Sequence, residues 1–281
     1  MKRLFKIMSI FALTCFSFYY TDKIVDFSKS KDPIMIELKD ESLKYAVEPV
    51  DALVFDDYII PGLSGRVVDV NSSYSKMKKL GSYNSNLLVF VKELPEVSIK
   101  SYQDKFIIQG NKSKKEVYLV FQFADQKYLE EIVSIVNNND VKANFFIDGY
   151  LLESKEEELT SYFDNDNYFI GNLGYKNKYE ATTLRYTNGL IERNFNNSLF
   201  CLTTSGDKSV LDLCSKNKMY TLKPTLIDSS YPYNAVKEKL ESGSIFTFNA
   251  NSYLVKELDA IIKLIKQKGY EISLVSSLLL E

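Results

Sequence analysis

The chain has 281 residues, 45% of them hydrophobic and 26% charged, enough to bury a full core and to form more than one domain. A formal net charge of -2, with no run of Lys and Arg, leaves no electrostatic case for nucleic acid. The sequence contains no histidine, which excludes the Ser-His-Asp triad, the imidazole proton shuttle and every metal site that needs imidazole.

The N-terminus, MKRLFKIMSIFALTCFSFYYTD, places Lys2, Arg3 and Lys6 ahead of an apolar run from Ile7 to Tyr20. That pattern predicts a signal anchor over residues 1–21, with a cleaved signal peptide as the alternative and an extracytoplasmic bulk at the cell membrane as the consequence. No small-x-small cleavage site follows, and Ala12-Leu13-Thr14-Cys15 is a poor lipid-attachment box. The polar, mixed-charge stretch 22–45 reads as a stalk. Residues 46–111 alternate short β-rich runs with one helix, Ser72 to Leu80, capped by Asn71 or Ser72 and stopped by Gly81, which reads as a small α+β domain.

From Lys115 the rhythm becomes strand, helix, strand: EVYLVFQF, QKYLEEIVSIVNNN, VKANFFID, ESKEEELTSYF, YFIGN. Such alternation predicts parallel strands with crossover helices over 115–281. The last helix carries Leu254, Leu258, Ile261, Ile262 and Ile265 at helical spacing and stops at Gly269 before YEISLV. The three cysteines are Cys15, Cys201 and Cys214, without a CxxC pair; whether Cys201 and Cys214 bond is left open by the sequence.

VKANFFIDG resembles the VKATFFxxG strand of polysaccharide deacetylases of the NodB-homology family. EVYLVFQFAD stands where that family has TFDDG, FIGNLGYKN where it has IGNHTxxH, and GSIFTFN where it has GSIxLxH. KGYEISLVSSLL matches its KGYxxxxxxxLL ending. The resemblance covers about 115–281 and implies an α/β fold of the distorted (β/α)-barrel type. It also implies a divalent metal such as zinc, held by one Asp and two His, that activates water to remove N-acetyl groups from amino sugars, with an Asp as base and a His as acid.

Carried over, the two aspartates fall on Gln122 and Phe123, the metal histidines on Leu173 and Asn177, and the acid histidine on Asn249. The Arg-bearing segment falls on FCLTTSG, Phe200 to Gly206, with no Arg. An amide cannot act as a base, and Phe and Leu offer no donor. The expectation is therefore a protein with no resident metal or other cofactor, and Leu173 packed where a ligand and its metal would have sat. Phe123 and Leu173 are the two side chains whose placement decides whether the old cleft is open or filled.

Asp125, Asn172, Tyr175 and Thr204 are candidate cleft residues. Asp125 is also read as the cap of a helix starting near Gln126, and Asp148 as a polar strand end. LVFDDYIIPG, with Asp56 and Asp57, superficially repeats the TFDDG motif but precedes the α/β domain and lacks the next strand. With 20 Tyr and no Trp, tyrosine is the main ring available for stacking on sugar faces, and Tyr150, Tyr175, Tyr231 and Tyr233 fall at predicted loops or strand ends. The leading expectation is a membrane-anchored pseudoenzyme that binds cell-envelope glycan or a protein partner. The alternatives are an active N-deacetylase rebuilt around Asp125 and neighbouring carboxylates, and a structural docking protein of the envelope.

Overall fold

The structure, a computed structural model, describes residues 2–163, 166–195 and 199–280. The side chains of Lys2, Arg3 and Lys6 lie outside what is described. The chain divides into two compact units, one of 1–49 with 64–93 and one of 50–63 with 94–281.

The first unit contains helix α1 (Lys2–Ser30) and helix α2 (Pro33–Ser42). No helix among the described residues is long and apolar enough to cross a membrane. Residues 33–42 are not a bare stalk. Asp32 caps α2 by accepting from the Ile34 N–H, Pro33 opens the helix at a position with no N–H to satisfy, and Met35 and Leu38 are buried. In the second unit the chain enters β1 (Leu53–Val54) and β2 (Tyr58–Ile60), then returns to the first for β3 (Gly65–Val68), α3 (Val70–Leu80) and β4 (Phe90–Glu93). β3 and β4 pair antiparallel. Met35 and Leu38 pack with Val68, Tyr74 and Met77 in the small core of this unit. The cap of α3 is Asp69, whose carboxylate accepts from the Ser72 N–H at 3.0 Å, rather than Asn71 or Ser72; Gly81 ends it in the left-handed region, as its sequence position predicts.

The second unit continues with β5 (Phe106–Ile107), β6 (Glu116–Phe123), α4 (Leu129–Asn138), β7 (Ala143–Ile147), α5 (Gly149–Ser154), α6 (Glu156–Phe163) and β8 (Tyr168–Asn172). Then come α7 (Ala181–Phe195), β9 (Phe200–Leu202), α8 (Lys208–Lys216), β10 (Tyr220–Leu222), β11 (Thr225–Leu226), α9 (Pro232–Lys239), β12 (Ile245–Asn249), α10 (Ser252–Gln267) and β13 (Glu271–Ile272). Among the described residues the strands form one sheet in the order β1-β2-β5-β10-β9-β8-β7-β6-β12-β11, with β13 also on β6. All of its pairings are parallel except β1 with β2. This is an α/β half-barrel that ends in β1 on one side and β11 on the other.

The division differs from the expected single block of 46–111. The parallel pairing of β2 with β5, and of β5 with β10, draws 50–63 and 94–107 into the large sheet. The FDD segment belongs to this edge, where Asp57 pairs with Lys208 at 2.7 Å and the Asp56 carbonyl accepts from the Lys105 ammonium.

β6 is buried on both faces, as a central parallel strand must be. Val117, Leu119, Phe121 and Phe123 enter the cluster under α4 and α10, whereas Tyr118 and Val120 face a second cluster with Phe146, Phe169 and Phe200. Gly171 is dictated by this second cluster, since a Cβ there would stand 2.4 Å from the Phe146 ring. Cys201 in β9 and Cys214 in α8 form a disulfide, buried beside Leu184 and Met219.

Candidate functional site

Parallel α/β sheets place ligands beyond the carboxyl ends of their strands. Here the C-terminal tips of β6, β12 and β8 carry Gln122, Asn249 and the loop that begins at Asn172. Gln122 and Asn249 are register partners across β6 and β12, and the Gln122 amide donates to the Asn249 carbonyl oxygen at 3.2 Å. Two neutral amides are thus bonded to each other, and neither can exchange a proton near neutrality. Strand alternation sends the next side chain the other way: Phe123 is 1% exposed in the helix-side core, its ring 6.1 Å from Phe145. Phe123 therefore does not fill the cleft. Leu173 is half-buried against the inner cluster, which places hydrocarbon at the mouth.

The loop after β8 keeps an elaborate brace. Asn172 is 0% exposed; its amide donates to the Leu184 carbonyl at 3.2 Å and to the Asn188 side chain at 2.6 Å, while its carbonyl oxygen accepts from the Gly174 N–H at 2.7 Å. Asn172 is a structural residue of the loop, not a cleft donor. The Tyr179 hydroxyl lies 2.9 Å from the carbonyl oxygens of both Asn172 and Leu202, so its one proton serves either of them, and burial pushes its phenol well above the ordinary value.

Asp148 is more than a polar strand end. It is 2% exposed, caps α5 through the Tyr150 N–H at 2.9 Å, and accepts from the N–H groups of Lys176 at 3.0 Å and Asn177 at 2.8 Å. Lys176 and Asn177 lie in the left-handed region, with φ of 51° and 61°. Such backbone costs about 1 kcal/mol per residue for non-glycine types, and the buried carboxylate holds it in place. Asn177, at a position the family resemblance assigns to a ligand, is exposed.

The remaining candidates are not brought together. Asp125 does not cap α4; its carboxylate accepts from the Lys127 N–H at 2.8 Å in a local turn, and the helix starts later, after Tyr128 in the left-handed region at φ 64°. Asp125 lines a polar cavity of about 520 Å³ with Asp228, Ser229, Asn251 and Tyr253, and none of Asn172, Tyr175 or Thr204 reaches it. Thr204 is half-buried beyond β9, between Thr203 and Ser205, whose hydroxyls lie 3.2 Å apart.

Tyr175 belongs elsewhere, to a ring cluster that includes Tyr150 and Tyr186. Its hydroxyl donates to Glu153 at 2.5 Å and that of Tyr186 to the other oxygen of the same carboxylate at 2.8 Å. The hydrogen bond from Tyr175 first, then that from Tyr186, holds the Glu153 carboxyl below its ordinary range, and the Glu153 bond pushes the Tyr175 phenol up to about 12. Glu153, Lys176 and Tyr186 escaped the sequence reading; the only local signal is the i, i+3 spacing of Tyr150 and Glu153 on one helix face. Tyr231 is exposed ahead of α9, while Tyr233 is partly buried against the helix-side core.

A divalent metal does not fit the family positions. Zinc requires imidazole, thiolate or carboxylate donors, and the positions offer one amide already paired, one core phenyl ring, one leucine and one asparagine. Among the described residues no group of three or more His, Cys, Asp or Glu could hold a metal ion. The arrangement can donate and accept hydrogen bonds and present aromatic faces.

A family model for polysaccharide deacetylase matches residues 109–205. The uncharacterized protein YlxY of Bacillus subtilis (strain 168) is 30% identical over 275 residues, spanning 91% of this chain and 86% of that one. Wild-type BA3943 of Bacillus anthracis, described as a CE4 family pseudoenzyme, superposes with a TM-score of 0.67 at 25% identity over 89% of this chain and 95% of that chain. A BA3943 mutant described as having restored enzymatic activity has the same TM-score and identity, over 88% of this chain and 98% of that chain. Bacillus subtilis PdaA, a family 4 carbohydrate esterase, shares the fold with a TM-score of 0.55 at 16% identity, over 83% of this chain and 97% of that chain.

Proposed function

The chain belongs to the polysaccharide deacetylase family, as a degenerate member, and from that premise we propose that it is a pseudoenzyme that binds cell-envelope glycan outside the cytoplasm. The observation that carries the loss of catalysis is the Gln122 to Asn249 hydrogen bond, which occupies the base and acid positions of the family with two amides bonded to each other. Base, acid and metal ligands would all have to be rebuilt together for deacetylation to return. The likeness to BA3943 supports the same reading, because that protein is itself described as a pseudoenzyme.

The N-terminal helix is proposed to hold the chain at the membrane. Phe11, Leu13, Phe16, Phe18 and Tyr19 are all exposed along it, apolar surface that a lipid interface would cover. The buried Cys201–Cys214 disulfide supports an oxidising compartment for the rest. The test is direct: the purified full chain is assayed for bound zinc, cobalt and nickel, and for acetate released from chitohexaose. Neither stoichiometric metal nor acetate is expected, and finding metal together with turnover would overturn the proposal.

A further inference from the structure

We infer that the sugar-binding surface of this chain is not the vacated centre but the exposed tyrosine platform formed by Tyr150, Tyr175 and Tyr186 around Glu153, and that its ligand is a chain of uncharged pyranose rings. The inference rests on the glycan-binding reading above and names the site.

Tyr150 is 50% exposed and Tyr186 46%, yet these rings are not loose side chains. The ring centroid of Tyr175 lies 6.1 Å from that of Tyr150 and 6.1 Å from that of Tyr186, both edge to face. Tyr175 and Tyr186 hold the two oxygens of one carboxylate, and the Lys176 ammonium lies 4.6 Å from the Tyr150 ring centre and 5.7 Å from that of Tyr175. The rings are thus fixed before any ligand arrives, so little side-chain entropy remains to be lost on binding.

A pyranose presents an apolar face of C–H groups edged by hydroxyls. The platform presents the counterpart: the exposed ring surface of Tyr150 and Tyr186, one carboxylate acceptor between two of the rings, and one ammonium donor set over the rings of Tyr150 and Tyr175. A large apolar protein surface suits it less, because Glu153 and Lys176 stand among the rings and would have to be desolvated. The charges also choose among glycans. Glu153 and Lys176 cancel, and Glu156, Glu157 and Glu158 follow along one wall of the adjoining cavity, where Arg193 pairs with Glu156 and Lys155 with Glu158, which leaves a net negative charge on that wall. A polyanionic chain would be repelled there.

The position is coherent with the family. Tyr175 and Lys176 sit in the loop that bears Leu173 and Asn177, and the Asp148 carboxylate that fixes the Lys176 and Asn177 N–H groups also caps the helix carrying Tyr150 and Glu153. The brace of this loop therefore also fixes the platform.

The test is titration of the full chain with chitohexaose, an uncharged pyranose oligomer, and with an alginate hexamer as the anionic counterpart, followed by calorimetry. Chitohexaose is expected to bind and alginate not. Tyr150→Ala and Tyr186→Ala should each weaken chitohexaose binding about tenfold, Glu153→Gln several-fold, and Gln122→Ala not at all. Tyr150 and Tyr186 are exposed, so thermal melting matching that of the parent chain checks that both variants fold. Binding that survives both tyrosine changes but falls with Gln122→Ala overturns the platform and leaves the glycan reading standing. Absence of any chitohexaose binding by the parent chain overturns both, and preference for alginate overturns the charge argument and the assignment with it.

Discussion

The two halves of the mouth at the carboxyl ends of the strands are built differently. At the tips of β6 and β12, Gln122 donates its amide to the Asn249 side chain in a single exposed contact. In the loop after β8 buried polar groups brace the backbone: Asn172 bonds to Leu184, Asn188 and Gly174, Tyr179 spans to Leu202, and Asp148 holds two left-handed residues. Chemistry and geometry are separable properties of a site. The first depends on a few replaceable side-chain tips, the second on buried polar groups whose partners would be orphaned by change.

That contrast can be broken by measurement. The largest effect is expected from Phe123→Asp, which returns a family residue to a position now inside the helix-side core; it should cost on the order of 5 kcal/mol in denaturant unfolding, from lost packing and a buried charge. Asp148→Ala, which orphans three backbone N–H groups, should cost about 3 kcal/mol, with Asp148→Asn recovering part of the loss. Asn172→Ala should cost about 2 kcal/mol by the same measurement and speed amide exchange at Gly174, whose N–H it holds. Gln122→Ala, at the other half of the mouth, should cost about 0.5 kcal/mol or less. If Gln122→Ala destabilised as much as Asn172→Ala, the distinction between the halves would collapse.

The smallest effect is a pH dependence. The folded carboxyl of Glu153 is depressed by its two phenol donors, so its contribution to stability is present above the ordinary glutamate value and is lost as pH falls through the lower folded value. Unfolding curves of the parent and of Glu153→Gln should therefore converge as pH falls through that acidic window and separate above it.

The α/β repeat was legible because it depends on local pattern. The continuous apolar runs in EVYLVFQF and VKANFFID specify strands that are buried on both faces, and the helix ending at Gly269 carries its own period. What escaped depends on partners distant in sequence. Asp148 looks like any residue at a strand end, and two of the N–H groups it accepts lie 28 and 29 residues away. The cap assigned to Asp125 failed because Tyr128 adopts the left-handed region, which delays the helix start, and nothing in the local composition signals that. The small domain was misdrawn because parallel pairing of β2, β5 and β10 joins segments that chain proximity alone would have kept with β3 and β4.

Phe123 also bears on how the chain tolerates change at its strand tips. A lone carboxylate at that position would have no partners to act with, whereas a phenylalanine in the core contributes to stability by itself, with or without a ligand. With its ring near Phe145, the side chain at the tip of β6 ties the stability of the helix-side core to the absence of a donor at that point.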